Sequence, residues 1–314
     1  MDEIKVSVCM ITYNQKDYIQ QAIESVLMQK TNFNYEIIIH DDCSNDGTRN
    51  ILIEYQKKYP NKIKLILQEE NQYSKGNNIL PFFVPYIEGK YVAINEGDDY
   101  WTDESKLQLQ YDYMINNVDC SLVLHKAAQI NSKDQVMLYV GEDIDKDYSI
   151  KDIILGGGSF FATNSMFYKS EVLKSLPPYY FKGTGDYLMA INLADKGKIH
   201  YISKNMSVYR YSSSGSWTSK YKSNRDFFLK HTNSMIKILD EINSFYNYKY
   251  DKIIKERIED LRISILMYDG NVIELKRNYP IKYSNMPLKE KLKIHLKGKS
   301  PYLYTILERI KNGK

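Results

Sequence analysis

The first hundred residues alternate short apolar runs with helical patterns, and each run ends in a polar turn. Val6-Ser7-Val8-Cys9-Met10-Ile11 reads as a buried strand, and Tyr18 to Gln29 then places Ile19, Ala22, Ile23, Val26 and Leu27 at helical spacing. Glu36-Ile37-Ile38-Ile39 is a second strand, followed by a helix carrying Ile51, Leu52 and Tyr55. Ile63 to Leu67 is a third, and Tyr91-Val92-Ala93-Ile94 a fourth behind a turn at Gly89. This alternation predicts an α/β fold with a mostly parallel central sheet and right-handed crossovers. Ligands of such sheets bind beyond the carboxyl ends of the strands. Thr12-Tyr13-Asn14, Asp41-Asp42 and Glu96 to Asp99 all stand at those ends, so one shared cleft is expected.

Farther along, Ser121 to Leu124 and Ser165 to Tyr168 read as strands, with a break at Gly156-Gly157-Gly158 between them. A helix is expected from Asp186 through Ala194, then closing strands at Ile199 to Ile202 and Ser207 to Arg210. From about Arg225 the pattern is helical. The division expected is a catalytic domain over 1–217 and a helical region with a basic tail over 218–314. From Lys282 onward nine basic residues face two acidic ones, while the whole chain of 314 residues carries only +4, so the rest is mildly acidic. Leu288 to Leu296 is amphipathic and basic, which suits an anionic membrane surface or a helix packed on the body. No basic-aromatic groove pattern accompanies it, so nucleic acid is not expected as a partner. Three scattered cysteines, Cys9, Cys43 and Cys120, make no disulfide framework, and Met1 to Lys5 has no targeting character. A cytoplasmic location is the expectation.

Asp98 and Asp99 follow a buried strand on a Gly-led turn. Ionised carboxylates are costly to bury unless paired or bound to metal. Such hard oxygen ligands suit Mg²⁺ or Mn²⁺ bridging substrate phosphates; a turn capping a helix from Ser105 is the plainer alternative. A carboxylate at Asp41 can accept from a pyrimidine N–H or a ribose hydroxyl, or else form an Asx-turn. Tyr13 can stack on a base. The Gly-rich dinucleotide fingerprint is replaced by Thr12-Tyr13-Asn14-Gln15, which argues against NAD or FAD.

Val6-Ser7-Val8, Thr12-Tyr13-Asn14, Asp41-Asp42-Cys43-Ser44-Asn45-Asp46-Gly47-Thr48 and Glu96-Gly97-Asp98-Asp99-Tyr100-Trp101, in this order and spacing, resemble the family 2 glycosyltransferases of GT-A fold. The likeness spans about residues 4–215, and Glu96 to Asp103 with the following Lys106-Leu107-Gln108 resembles a branch found in bacterial surface-polysaccharide clusters. The resemblance implies a GT-A domain that transfers a sugar, with inversion, from a nucleoside-diphosphate sugar, UDP-linked, to a hydroxyl of a glycan or lipid-linked acceptor. It places Thr12 and Tyr13 at the base and ribose and Asp41 at the uracil. It makes Asp99 the ligand of Mn²⁺ or Mg²⁺ and puts Asp98 nearer the ribose or sugar. Gly185-Asp186 resembles the segment bearing the catalytic base, and an inverting transfer needs such a carboxylate opposite the leaving diphosphate. Arg210 falls where related enzymes close over the diphosphate, with Tyr211 and Ser212 to Ser214 where a His is common, and Gly215 with Trp217 suggests a lid. Two rival readings are nucleotidyl transfer, which lacks its Gly- and Arg-rich loop near residues 8–20, and a non-catalytic nucleotide-sugar-binding assembly module.

Overall fold

The computed structural model describes residues 3–183, 185–211, 220–221 and 223–300. The chain forms two compact units, residues 1–223 and 224–314. In the first, among the described residues, the strands are β1 (Ile4–Thr12), β2 (Asn34–Asp41), β3 (Ile63–Leu67), β4 (Tyr91–Glu96), β5 (Tyr100–Trp101), β6 (Cys120–Ile130), β7 (Val136–Val140), β8 (Lys146–Tyr148), β9 (Phe167–Lys169) and β10 (Lys198–Arg210). They make one sheet of order β3-β2-β1-β4-β9-β6-β10-β5, with β7 on β6 and β8 on β10. The helices α1 (Ile19–Leu27), α2 (Thr48–Lys58), α3 (Lys106–Asn116), α4 (Ile150–Gly156) and α5 (Gly185–Lys196) accompany it.

The expected parallel block is β3-β2-β1-β4. Its strands are apolar on both faces because both faces are covered, so Val6, Val8, Cys9 and Met10 are all fully buried. Helix α1 buries Ile19, Ala22, Ile23 and Val26 on one stripe. The sheet is more mixed than the sequence suggests. Strand β9 runs antiparallel to both β4 and β6, and so joins the parallel block to the parallel pair β6–β10. The two closing strands expected at 199–202 and 207–210 are one thirteen-residue strand. Polar Ser203, Lys204 and Asn205 interrupt its apolar pattern, and register shifts between Ile202 and Ser207 absorb them as a bulge.

The second unit contains α6 (Arg225–Phe245), α7 (Asp251–Tyr268), α8 (Val272–Asn278), α9 (Pro280–Asn285) and α10 (Leu288–Lys299). Ile263, Leu275 and Ile294 form a small core there. Helix α10 buries Ile294 and leaves Leu288 and Leu292 exposed among lysines. No helix of the described residues is long and apolar enough to cross a membrane.

A buried polar knot fixes the amino end of the parallel block. Ser7 Oγ donates to Glu36 Oε1 at 2.6 Å and accepts from Gly89 N at 2.9 Å, while Lys64 pairs with Glu36 at 2.7 Å. Gly89 lies so close to β1 that a Cβ there would fall 2.5 Å from Ser7 N. Gly89→Ala is therefore expected to destabilise the protein by roughly 1–3 kcal/mol, read from urea midpoints. Gly158→Ala, whose new Cβ meets only Tyr187 Cβ at 3.8 Å, is expected to stay within about 0.5 kcal/mol.

Candidate active site

The register of the parallel block brings the expected residues level. Thr12 pairs with Asp41 across β1 and β2, and Ile11 pairs with Glu96 across β1 and β4. Backbone bonds continue past the strand ends, from Asp42 N to Thr12 O at 3.0 Å and from Gly97 N to Ile11 O at 2.8 Å. Gly97 is required at this step. A Cβ there would lie 2.3 Å from Gln15 Oε1 and 2.7 Å from Thr12 Oγ1. Thr12 is buried and donates to Gln15 at 2.7 Å, so its side chain seats the acidic turn from below. Tyr13 is 46% exposed at the rim.

Asp41 and Asp42 are both buried and hold different loops. Asp41 accepts from Arg49 Nε at 2.7 Å and from Ser44 N at 3.3 Å. Asp42 accepts from Gln72 N at 2.7 Å and Tyr73 N at 3.0 Å, anchoring the loop that follows β3. Asn14 and Cys43 sit in the left-handed region, with φ of 51° and 67°, which turns the chain sharply at both strand ends.

The acidic turn divides its labour by burial. Asp99 is 1% exposed, and both its oxygens are engaged: Oδ1 accepts from Arg210 N at 2.9 Å and Oδ2 from Asn164 Nδ2 at 2.8 Å. Asp98 is half-buried. The Arg210 guanidinium donates to Asp98 O at 3.1 Å and to Gln21 Oε1 at 2.7 Å, and lies between the rings of Tyr18 and Tyr100 at 5.0 and 4.7 Å. Asp186 opens α5 as the sequence suggests. It accepts from Tyr187 N at 2.7 Å and from Thr163 Oγ1 at 3.0 Å. Gly215 and Trp217, and Ser212 to Ser214, lie outside the described residues.

Glu96 lies within electrostatic reach of Asp98 and Asp186, and Asp99 within reach of Asp98 and Glu96. Burial, then the charges of Asp98 and Asp186, push the Glu96 carboxyl up to about 8, against a hydrogen bond from Thr163. Burial, then Asp98 and Glu96, push Asp99 well above the carboxylate range, against Arg210. Burial raises Asp186, opposed by its bonds from Tyr187 and Thr163. Each of these carboxyls resists ionising beside the others, and a bound cation would offset that repulsion and let them ionise, so the donor set suits Mg²⁺ or Mn²⁺. Among the described residues no three ligating side chains cage an ion unaided. An ion here would rest on few carboxylates and on phosphate oxygens, the habit of Mg²⁺. Sequence reading passed over Glu96, although it lies inside the acidic motif, and over Thr163 and Asn164, which no motif marks.

Because Glu96 binds its proton more tightly folded than unfolded, its contribution to stability is full at acid pH and lost as pH rises through about 8. In EDTA, stability should therefore decline from about pH 4.5 to about pH 8, with a slope contribution of up to ~1.4 kcal/mol per pH unit. Urea titrations across this range should show a shallower decline for Glu96→Gln.

The comparisons agree with this fold. The family model described as glycosyl transferase family 2 matches residues 7–176. An uncharacterised protein of Mycobacterium tuberculosis is 30% identical over 243 residues, covering 75% of this chain and 67% of that one. The putative teichuronic acid biosynthesis glycosyltransferase TuaG of Bacillus subtilis is 33% identical over 156 residues, 48% of this chain and 59% of that protein. The crystal structure of S. aureus TarS 1-349 in complex with UDP-GlcNAc superimposes with a TM-score of 0.61 at 20% identity, over 99% of this chain and 93% of that one. The chain belongs to glycosyltransferase family 2, and it is a glycosyltransferase of GT-A fold.

Proposed function

We propose that this enzyme transfers a sugar, with inversion, from a UDP-linked donor to a hydroxyl of a glycan or lipid-linked acceptor during bacterial surface-polysaccharide synthesis. The observation that carries the reading is the meeting of a half-buried acidic turn with a separate helix-borne carboxylate, Asp186, in one site. The UDP-GlcNAc bound by TarS and the teichuronic acid role in the name of TuaG support the donor and the acceptor class.

In this reading Tyr13, half-exposed at the first strand end, stacks on the base, with Thr12 beneath it. Asp41 stands at the uracil edge, its charge shared with Arg49. The Asp98–Asp99 pair would hold Mn²⁺ or Mg²⁺. Asp98 presents the more accessible carboxylate, and Asp99, the expected ligand, is also the anchor of the turn. The ion would supply neutralisation of the leaving diphosphate. Arg210, gripped by Tyr18 and Tyr100, adds a fixed positive charge to the same edge. Asp186 accepts the proton of the acceptor hydroxyl as its oxygen attacks the anomeric carbon. Helix α10, with Leu288 and Leu292 exposed among lysines, gives a surface for peripheral contact with the inner face of the membrane, where lipid-linked acceptors reside.

A thermal-shift panel of nucleotide sugars with Mn²⁺ selects the donor, since stabilisation follows affinity. With that donor, Asp186→Asn is expected to bind normally and lose transfer by about 100-fold or more. Turnover at the wild-type rate would remove it as base. EDTA should abolish activity, and full activity in EDTA would sink the metal role. Asp98→Asn should weaken Mn²⁺-dependent UDP binding with little change in melting temperature, whereas Asp99→Asn should lower both. Donor binding without turnover over a broad acceptor panel would favour a non-catalytic assembly module.

A further inference from the structure

Between Ala162 and Phe167 the chain makes a single 3₁₀ turn, Thr163–Ser165, and neighbouring residues of this turn reach opposite sides of the site. Thr163 Oγ1 donates to Asp186 Oδ2 at 3.0 Å. Asn164 Nδ2 donates to Asp99 Oδ2 at 2.8 Å and to Val208 O at 3.1 Å. Asn164 is completely buried and its other polar atoms are also engaged. Its Oδ1 accepts from Ser207 Oγ at 2.8 Å, and its backbone O accepts from Trp101 Nε1 at 3.1 Å. The next residue is fixed too, with Ser165 O accepting from Gln110 Nε2 at 2.8 Å and Ser165 Oγ donating to Ala162 O at 2.6 Å. The turn is therefore held firmly through Asn164 and Ser165, and its backbone presents the Thr163 hydroxyl to Asp186.

We infer that Thr163 is a positioning residue for Asp186, and that its attachment to Asn164 ties the base to the acidic turn at a set separation. This inference rests on the reading of Asp186 as the base. Displacement at the anomeric carbon needs the base on one side of the sugar and the leaving group on the other, so error in their spacing is costly. Asp186 has two oxygens. Oδ1 is turned to the α5 backbone at Tyr187 N, while Oδ2 accepts from Thr163. The hydroxyl also hydrogen-bonds Glu96. The bond to Asp186 favours the ionised form, which is the form a base requires. The other titratable groups that feel Asp186 are Glu96 from the end of β4, Tyr73 from the loop after β3 and Tyr180 from the turn before α5.

The test uses the full chain, the nucleotide sugar selected by thermal shift as substrate, and UDP with Mn²⁺ as the binding probe. Donor hydrolysis is followed, so no acceptor is needed. Thr163→Val replaces the hydroxyl by a methyl group of similar size. It is expected to lower kcat by about tenfold or more, leave the donor KM within about twofold, and move the acid limb of the kcat–pH profile to higher pH. Thr163→Ser keeps the donor and should restore both rate and limb. Thr163→Ala is measured alongside, because it cannot overpack the site, so a misfolded valine variant does not decide the matter. Wild-type kcat and an unmoved acid limb in a folded Val or Ala variant, with Asp186→Asn inactive, would overturn the inference and leave the base assignment standing. Wild-type hydrolysis by Asp186→Asn would overturn both. A fall in UDP affinity equal to the fall in rate would make Thr163 a structural prop of the donor site and also overturn the inference.

Discussion

Parallel strand register is the constraint on which the site depends. In a parallel pair the hydrogen bonds are evenly spaced, so neighbouring strands that start level also finish level. Here β1, β2 and β4 finish at Thr12, Asp41 and Glu96. Side chains more than eighty residues apart in sequence are thereby set side by side before any loop contact is made. A one-residue slip of β4 against β1 would turn Glu96 to the other face and carry Asp98 and Asp99 out of place. The buried knot of Ser7, Glu36 and Gly89 pins this register at the opposite end of the same strands.

Charge is the second organising quantity. Four carboxyls are linked through their fields by way of Glu96 and Asp98, and beside the turn stands Arg210, whose backbone holds Asp99 and whose guanidinium sits between two tyrosines. A folded chain tolerates such crowding by retaining protons. Burial and neighbouring carboxylates push Glu96 and Asp99 in this direction. The strain is useful in a donor site, because every positive charge that arrives with the substrate relieves it.

The fold was largely legible because β1, β2, β3 and β4 are short, mostly apolar runs rich in Val and Ile between helical patterns, and these follow from burial on both faces. Strand β10 was read as two pieces because Ser203 to Asn205 look like a turn when their side-chain partners cannot be seen. Asp145 receives Ser203 N at 2.7 Å, and Asp103 pairs with Lys204. Within the site, the acidic turn and Asp186 stood out through the family motifs they resemble, because an acid at a strand or helix end is as often a turn or cap residue. The roles of Asp41 and Asp42 were less so, since a pair of adjacent acids does not reveal that one holds Arg49 and the other the backbone of Gln72 and Tyr73. Thr163 and Asn164 were invisible for a simpler reason. Threonine and asparagine are common in turns, and what distinguishes these two is a bond across 23 residues and another across 65.

The two rims of the cleft are built to tolerate change unequally. On the Gly97 side the backbone presses directly on Thr12 and Gln15, with no room for a methyl group. On the other side the loop after β3 hangs from the sheet by the carboxylate of Asp42 and reaches the turn before α5 through Asn78 and Tyr180 O. A loop tethered by a side chain can lengthen, shorten or change composition without moving the strand beneath it. Changes of length or composition along residues 71–80 would then leave β2 in place, whereas any side chain added at Gly97 would have to displace Thr12 or Gln15.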